Sequence, residues 1–144
     1  MTLIREGTAA DLARLRAIQA ATLAEPWPEL LETAPDGPQD LLVIEAGEVV
    51  GYALAVADGS VAYVPEFAVH PDWQGEGYGS RLMDGLCDRL ARAGFESLRL
   101  TVHADDRRAR GFYRSHGFEI VERLPDHYTD GDGLLLARSP IGRD

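Results

Sequence analysis

The chain has 144 residues, 45% hydrophobic and 26% charged, which suits one globular domain over 1–144 with a core that needs no disulfide staples. All 14 cations are arginine and face 24 carboxylates, giving a formal net charge of −10. Without lysine there is no Walker-type phosphate loop and no Schiff-base amine, and the negative balance argues against nucleic acid as a partner.

A lone cysteine, Cys87, and four scattered histidines, His70, His103, His116 and His127, lack the spacing of a metal site, so no metal is expected. No apolar run approaches a membrane span, and the N-terminus lacks a secretory pattern. A cytoplasmic protein without a membrane partner is the expectation. The acidic, lysine-free composition fits either a salt-rich cytoplasm or a genome that writes arginine for lysine.

In chain order, Leu3 to Arg5 begins a strand that Gly7 ends. Thr8 is placed to cap a helix with Asp11 in its first turn and Leu12, Leu15 and Ile18 along one face. Pro26 and Pro28 stop that helix and leave Trp27 on a turn; Glu29 to Ala34 supplies a further helical turn or two before the breaker cluster Pro35-Asp36-Gly37-Pro38. Two strands over 41–45 and 48–57 form a hairpin about Ala46-Gly47, and a third runs over 61–69. Pro65 lies inside that third strand and lacks the N–H of a ladder, which predicts a bulge or a break in pairing. A helix over about 77–93 carries Leu82, Met83, Leu86 and Leu90 as its buried stripe, with Gly94 ending it. A strand over 97–103, a helix over 106–115, a strand over 117–122, a turn at Asp130 to Gly133 and a last strand over 134–136 complete an α/β order: a mixed sheet with helices on its faces.

The segment Val69-His70-Pro71-Asp72-Trp73-Gln74-Gly75-Glu76-Gly77-Tyr78-Gly79-Ser80 lies between a strand and an amphipathic helix. Alternate glycines clear side chains from the backbone, so that several N–H groups and the positive end of the helix can converge on a diphosphate. The dinucleotide fingerprint G-x-G-x-x-G fails, because its last place is Ser80 counted from Gly75 and Leu82 counted from Gly77. What fits is Q/R-x-x-G-x-G/A, read as Gln74 to Gly79, preceded by Phe67-Ala68-Val69-His70-Pro71. Downstream, Leu100-Thr101-Val102, Asp106, Ala109, Tyr113 and Gly117-Phe118 follow L-x-V…N-x-x-A-x-x-x-Y-x-x-x-G-F. With these two motifs the chain resembles the GCN5-related N-acetyltransferase (GNAT) family over nearly its whole length.

The resemblance implies a single mixed, mostly antiparallel sheet of six to seven strands, splayed at a central bulge and flanked by about four helices. It implies direct transfer of acetyl from acetyl-CoA to a primary amine without an acyl-enzyme, which leaves Cys87, in mid-helix, as a small packed residue. It assigns Phe67, Ala68 and Val69 to the pantetheine arm, and Gln74, Gly75, Glu76, Gly77, Tyr78, Gly79 and Ser80 to the diphosphate. Asp106 stands where the family has Asn; it suits the N-cap of its helix better than it suits the cofactor. Tyr113 takes the general-acid place opposite the leaving thiolate. For the proton acceptor the order is Glu66 beside the bulge, then Tyr63 on the same strand, then His103 at the end of the next, each acting directly or through water. The segments Pro26-Trp27-Pro28-Glu29 and Asp126 to Gly131 resemble the branch that acetylates ribosomal proteins and N-terminal peptides, although His127 replaces a Tyr and Thr101 replaces that branch's base. The acceptor is expected to be a small-molecule amine or a peptide N-terminus, and the enzyme a monomer or homodimer; the rival reading is a non-catalytic acetyl-CoA-binding module. The run Arg107, Arg108, Arg110 and Arg114 reads as a solvated helix face, from which an arginine could also reach the coenzyme's 3′-phosphate.

Overall fold

The computed structural model describes residues 1–23, 26–37 and 39–142, so Pro38 of the breaker cluster lies outside the described residues. The elements run β1 (Leu3–Glu6), α1 (Leu12–Thr22), α2 (Pro28–Thr33), β2 (Asp40–Ala46), β3 (Glu48–Asp58), β4 (Val61–Val69), α3 (Tyr78–Arg92), β5 (Ser97–His103), α4 (Arg107–Ser115), β6 (Glu119–Tyr128) and β7 (Gly131–Arg138). The seven strands make one sheet in the order β1-β2-β3-β4-β5-β7-β6. β4 and β5 are parallel, while β1–β2, β2–β3, β5–β7 and β6–β7 are antiparallel. Element order and sheet type agree with the α/β expectation. Among the described residues no helix is long and apolar enough to cross a membrane.

The chain forms two compact units, Met1–Val56 with Val64–Leu86, and Ala57–Tyr63 with Cys87–Asp144. In the first, Asp11 Oδ2 accepts the Thr8 N–H at 2.8 Å and Ala9–Asp11 makes a 3₁₀ turn, so α1 proper begins at Leu12. The Arg5 guanidinium donates to Asp11 at 2.9 Å and to Glu45 at 2.9 Å; its hydrogen bonds are the main reason the Asp11 carboxyl lies below the usual range. Leu15 and Ile18 of α1 and Leu31 of α2 are buried with Leu41 and Val43 of β2, Val49, Tyr52 and Leu54 of β3 and Ala68 of β4. Each buried leucine or isoleucine here contributes roughly 1.5–3 kcal/mol of transfer free energy. A bulge makes this face possible: the register steps from Ile44↔Gly51 to Glu45↔Val49, so Val50 is the extra residue and Val49 shares a face with Tyr52.

Gly51 is required by close approach, because a Cβ there would lie 2.8 Å from the Ala68 carbonyl oxygen. Gly51→Ala is expected to cost about 1–3 kcal/mol, as overpacking against backbone that has no side chain to move aside. A lowered denaturant midpoint with an unchanged m-value checks it.

In the second unit β4 and β5 pair in register only from Val61↔Ser97 to Tyr63↔Arg99, two residues short of Pro65. The break in pairing thus opens after Tyr63, two residues before the place predicted for it at Pro65. β6 runs further than expected, through Pro125 to Tyr128, and β7 begins at Gly131 instead of Leu134. The reason is a register shift between Leu124 and Tyr128, with Asp126 at φ 52, which takes the proline out of the ladder and lets pairing resume at Tyr128↔Gly131. Asp132 holds the distortion: its carboxylate accepts the Asp126 N–H at 2.9 Å and the Arg123 guanidinium at 2.8 Å, which together lower its pKa.

Candidate active site

In the first unit the loop after β4 is tied down at its entrance. The His70 N–H donates to Val50 O at 2.8 Å, the Asp72 N–H donates to His70 Nδ1 at 3.1 Å, and the Arg14 guanidinium lies 5.3 Å from the centre of the Trp73 ring. Gln74 turns back, its Nε2 donating to Val69 O at 2.8 Å, so its side chain closes the loop. Gly75 and Gly77 take φ +81 and +88 with open space around a notional Cβ; conformation and not crowding selects glycine there. Among the described residues no acceptor engages the N–H of Gly75, Glu76, Gly77, Tyr78 or Gly79, and the intrahelical bonds of α3 start with Arg81 N–H to Gly77 O at 3.1 Å. Side chains and backbone therefore leave a row of donors at a helix N-terminus, which fits an anionic diphosphate. Phe67 and Val69 are half-buried on β4 and Ala68 is buried between them.

Glu66 is the most constrained polar group of this unit. It is 3% exposed, and four donor contacts reach its two oxygens: Gln19 Nε2 at 2.9 and 3.2 Å, Tyr52 OH at 2.8 Å and the Trp27 N–H at 2.6 Å. One carboxylate thereby joins α1, β3 and the entrance to α2. Burial, and then the neighbouring Glu66 charge, push the Tyr52 phenol well above its usual pKa, so it stays a donor. Trp27, which leads into α2, has its N–H clamped in this way and its ring 54% exposed.

Strand alternation divides the proton-acceptor candidates. Ala62, Val64, Glu66 and Ala68 are the buried positions of β4, and Tyr63 is among the half-buried positions of the opposite parity. Glu66 and Tyr63 consequently leave opposite faces of the strand, and only the periodicity of Val61 to Val69, not proximity in sequence, carried that distinction.

In the second unit Tyr113 is buried in α4, its ring edge-on to Phe118 at 5.5 Å and to Phe112 at 5.2 Å. Burial first, then the charges of Asp106 and Tyr128, raise its phenol above the ordinary value of 10. Asp106 Oδ1 accepts the Ala109 N–H at 3.0 Å, the N-cap role read from its position. His103 stacks on Tyr128 with ring centres 3.7 Å apart and planes 15° from parallel, and its Nε2 lies 3.6 Å from Asp130 Oδ1. The Tyr128 hydroxyl donates to Thr101 Oγ1 at 3.3 Å. Sequence reasoning missed this grouping of Thr101, His103 and Tyr128, which depends on the bulge that ends β6. Cys87 is buried at 3%.

Comparison with known proteins bears on both units. The Acetyltransferase (GNAT) family profile matches residues 11–118. A [ribosomal protein bS18]-alanine N-acetyltransferase of Escherichia coli K12 is 29% identical over 133 residues, covering 88% of this chain and 90% of its own. Among solved structures, the ribosomal-protein-S18-alanine N-acetyltransferase of Escherichia coli superposes with a TM-score of 0.89 at 25% identity, over 100% of this chain and 97% of the other. Ard1 of Thermoplasma volcanium gives 0.87 at 29% identity, over 96% of this chain and 97% of its own.

Proposed function

This chain belongs to the Acetyltransferase (GNAT) family, and on that premise we infer that it acetylates the α-amine of a peptide N-terminus with acetyl-CoA as donor. The observation that carries the donor assignment is the row of unengaged N–H groups from Gly75 to Gly79 above two left-handed glycines. Gly75, Glu76, Gly77, Tyr78, Gly79 and Ser80 would hold the diphosphate, with Gln74 locking the loop, and the backbone of Phe67, Ala68 and Val69 would take the pantetheine arm. Acetyl-CoA supplies an activated thioester carbonyl. Tyr113 gives a proton to the departing sulfur. His103, an imidazole held between Tyr128 and Asp130, takes the proton of the incoming ammonium, with Tyr63 as the alternative acceptor. Glu66 keeps its carboxylate for Gln19, Tyr52 and Trp27, and acts by holding Trp27 where a peptide can lie against it.

Two points support a peptide α-amine over a small-molecule amine. Relatives with that activity in their names cover most of this chain, and a terminal α-amine (pKa about 7.7–8.0) is substantially neutral near pH 8, unlike a lysine-type amine at about 10.4. Such a nucleophile needs only modest help from a base, which suits a chain whose buried carboxylate is already engaged. Peptide N-termini of newly made chains are present in the cytoplasm, where we place the enzyme.

Release of free CoA thiol, measured with alanine-initiated peptides, the same peptides blocked at the N-terminus, and polyamines, tests this. Thiol release with the free peptides alone is expected. Release with polyamines but not peptides overturns the acceptor assignment, and tight acetyl-CoA binding with no amine-dependent release supports a binding module.

A further inference from the structure

A second feature of the molecule stands apart from the reading above and does not depend on it. In the second unit, a cleft of about 870 Å³ is lined by Arg107, Arg110, Gly111 and Arg114 of α4 together with Phe118, Glu119, Ile120 and Leu136. Three guanidiniums therefore meet one carboxylate in a protein whose net charge is −10. Arg5, Arg14, Arg16, Arg92 and Arg123 each pair with a carboxylate, whereas among the described residues no acidic group pairs with Arg107, Arg110 or Arg114. Arg110 is tethered only to the Ala104 carbonyl at 2.8 Å.

Gly111 provides an independent pointer. It sits in mid-helix, where glycine costs roughly 0.5–1 kcal/mol relative to alanine. Nothing lies within 4 Å of a notional Cβ, so packing does not demand the glycine. What the missing side chain provides is room in the cleft, on the helix face that Arg107 and Arg114 share at i, i+4 and i+7. Ile120, 56% exposed, adds apolar surface beside it.

We propose that this cleft docks a short extended peptide segment bearing two carboxylates four residues apart with an apolar residue midway between them. Arg107 and Arg114 are separated by about 10 Å along the helix axis, and side chains four residues apart on an extended chain leave the same face about 13 Å apart, a difference within the reach of long arginine side chains. Carboxylates at that spacing meet one guanidinium each, and the apolar side chain midway, on the same face, covers Gly111 and Ile120. Nucleic acid fits less well. Its charge extends past the patch onto the acidic surface of the rest of the chain, and Phe118, the aromatic residue of the lining, is 3% exposed and offers bases no face to stack on.

Fluorescence anisotropy of a labelled Leu-Glu-Ser-Leu-Ser-Glu-Leu peptide on the full chain tests the proposal. Saturable binding that weakens with added KCl is expected, falling about tenfold or more in Arg107→Glu/Arg114→Glu. Gly111→Leu, which fills open space without altering charge and favours the helix, is expected to weaken binding similarly with no loss of thermal stability. The proposal is overturned by absence of saturation or by affinity unchanged in either variant. It is equally overturned if a single-stranded RNA oligonucleotide binds the same arginines more tightly, or if the charge reversal instead lowers affinity for acetyl-CoA and not for its 3′-dephospho form.

Discussion

Tyr113→Phe is expected to lower turnover by about 10²–10⁴-fold, the range for loss of a positioned general acid, with acetyl-CoA affinity nearly unchanged. The substitution removes one oxygen and keeps the ring, so the edge-on contacts to Phe118 at 5.5 Å and Phe112 at 5.2 Å persist. A general acid at this step must still hold its proton when sulfur begins to leave. Burial ensures that: the nonpolar surroundings, reinforced by Asp106 and Tyr128, penalise the phenolate and shift the pKa upward from 10. The wild-type rate should accordingly show no alkaline loss traceable to Tyr113 below about pH 10. Rapid-mixing measurement of thiol release, with thermal melting alongside, separates the alternatives. Normal release by a less stable variant would make Tyr113 a packing residue and leave the acid step without a donor.

Why some of this was legible beforehand and some was not comes down to the range of the interactions. Leu15 and Ile18, and Leu82, Met83, Leu86 and Leu90, lie on helical faces that local periodicity reveals, and each is buried as read. Asp106 caps α4 with its own side chain, as its position called for; the glycine spacing spoke only of cleared side chains, and the left-handed backbone of Gly75 and Gly77 adds the conformational reason. Those signals are complete within a few residues. The partners of Glu66 lie 47, 39 and 14 residues away on three other elements, so a strand-end acid and a buried hub read alike in one dimension. The stack of His103 on Tyr128 is hidden for the same reason: it requires β6 to continue through Pro125, and only tertiary pairing with Asp132 makes that extension affordable. One clue was present and unused. The alternation Ala62, Val64, Glu66, Ala68 already placed Glu66 on the apolar face of its strand and Tyr63 on the other.

Glu66→Gln is expected to raise the KM for the peptide acceptor by about three- to tenfold while kcat and acetyl-CoA affinity stay close to wild type. Glutamine keeps the shape of the side chain but exchanges one acceptor oxygen for an NH₂ group. Both oxygens of Glu66 receive donors, so that NH₂ must face either Gln19 Nε2, the Tyr52 hydroxyl or the Trp27 N–H. Tyr52 can reverse its hydroxyl and Gln19 can flip its amide, so the NH₂ turns to them and the remaining oxygen stays on the main-chain N–H of Trp27, now as a neutral acceptor of roughly half the strength. The hold on Trp27 is thereby weakened and its exposed ring is less firmly placed. Losing the charge assistance also costs roughly 1 kcal/mol, visible as a lower denaturant midpoint. A proton-acceptor role for Glu66 makes the opposite forecast: kcat collapses, the pH–rate profile changes shape, and KM hardly moves. A peptide KM that stays at the wild-type value in a folded Glu66→Gln enzyme would therefore remove the holding role and return Glu66 to the head of the proton-acceptor candidates.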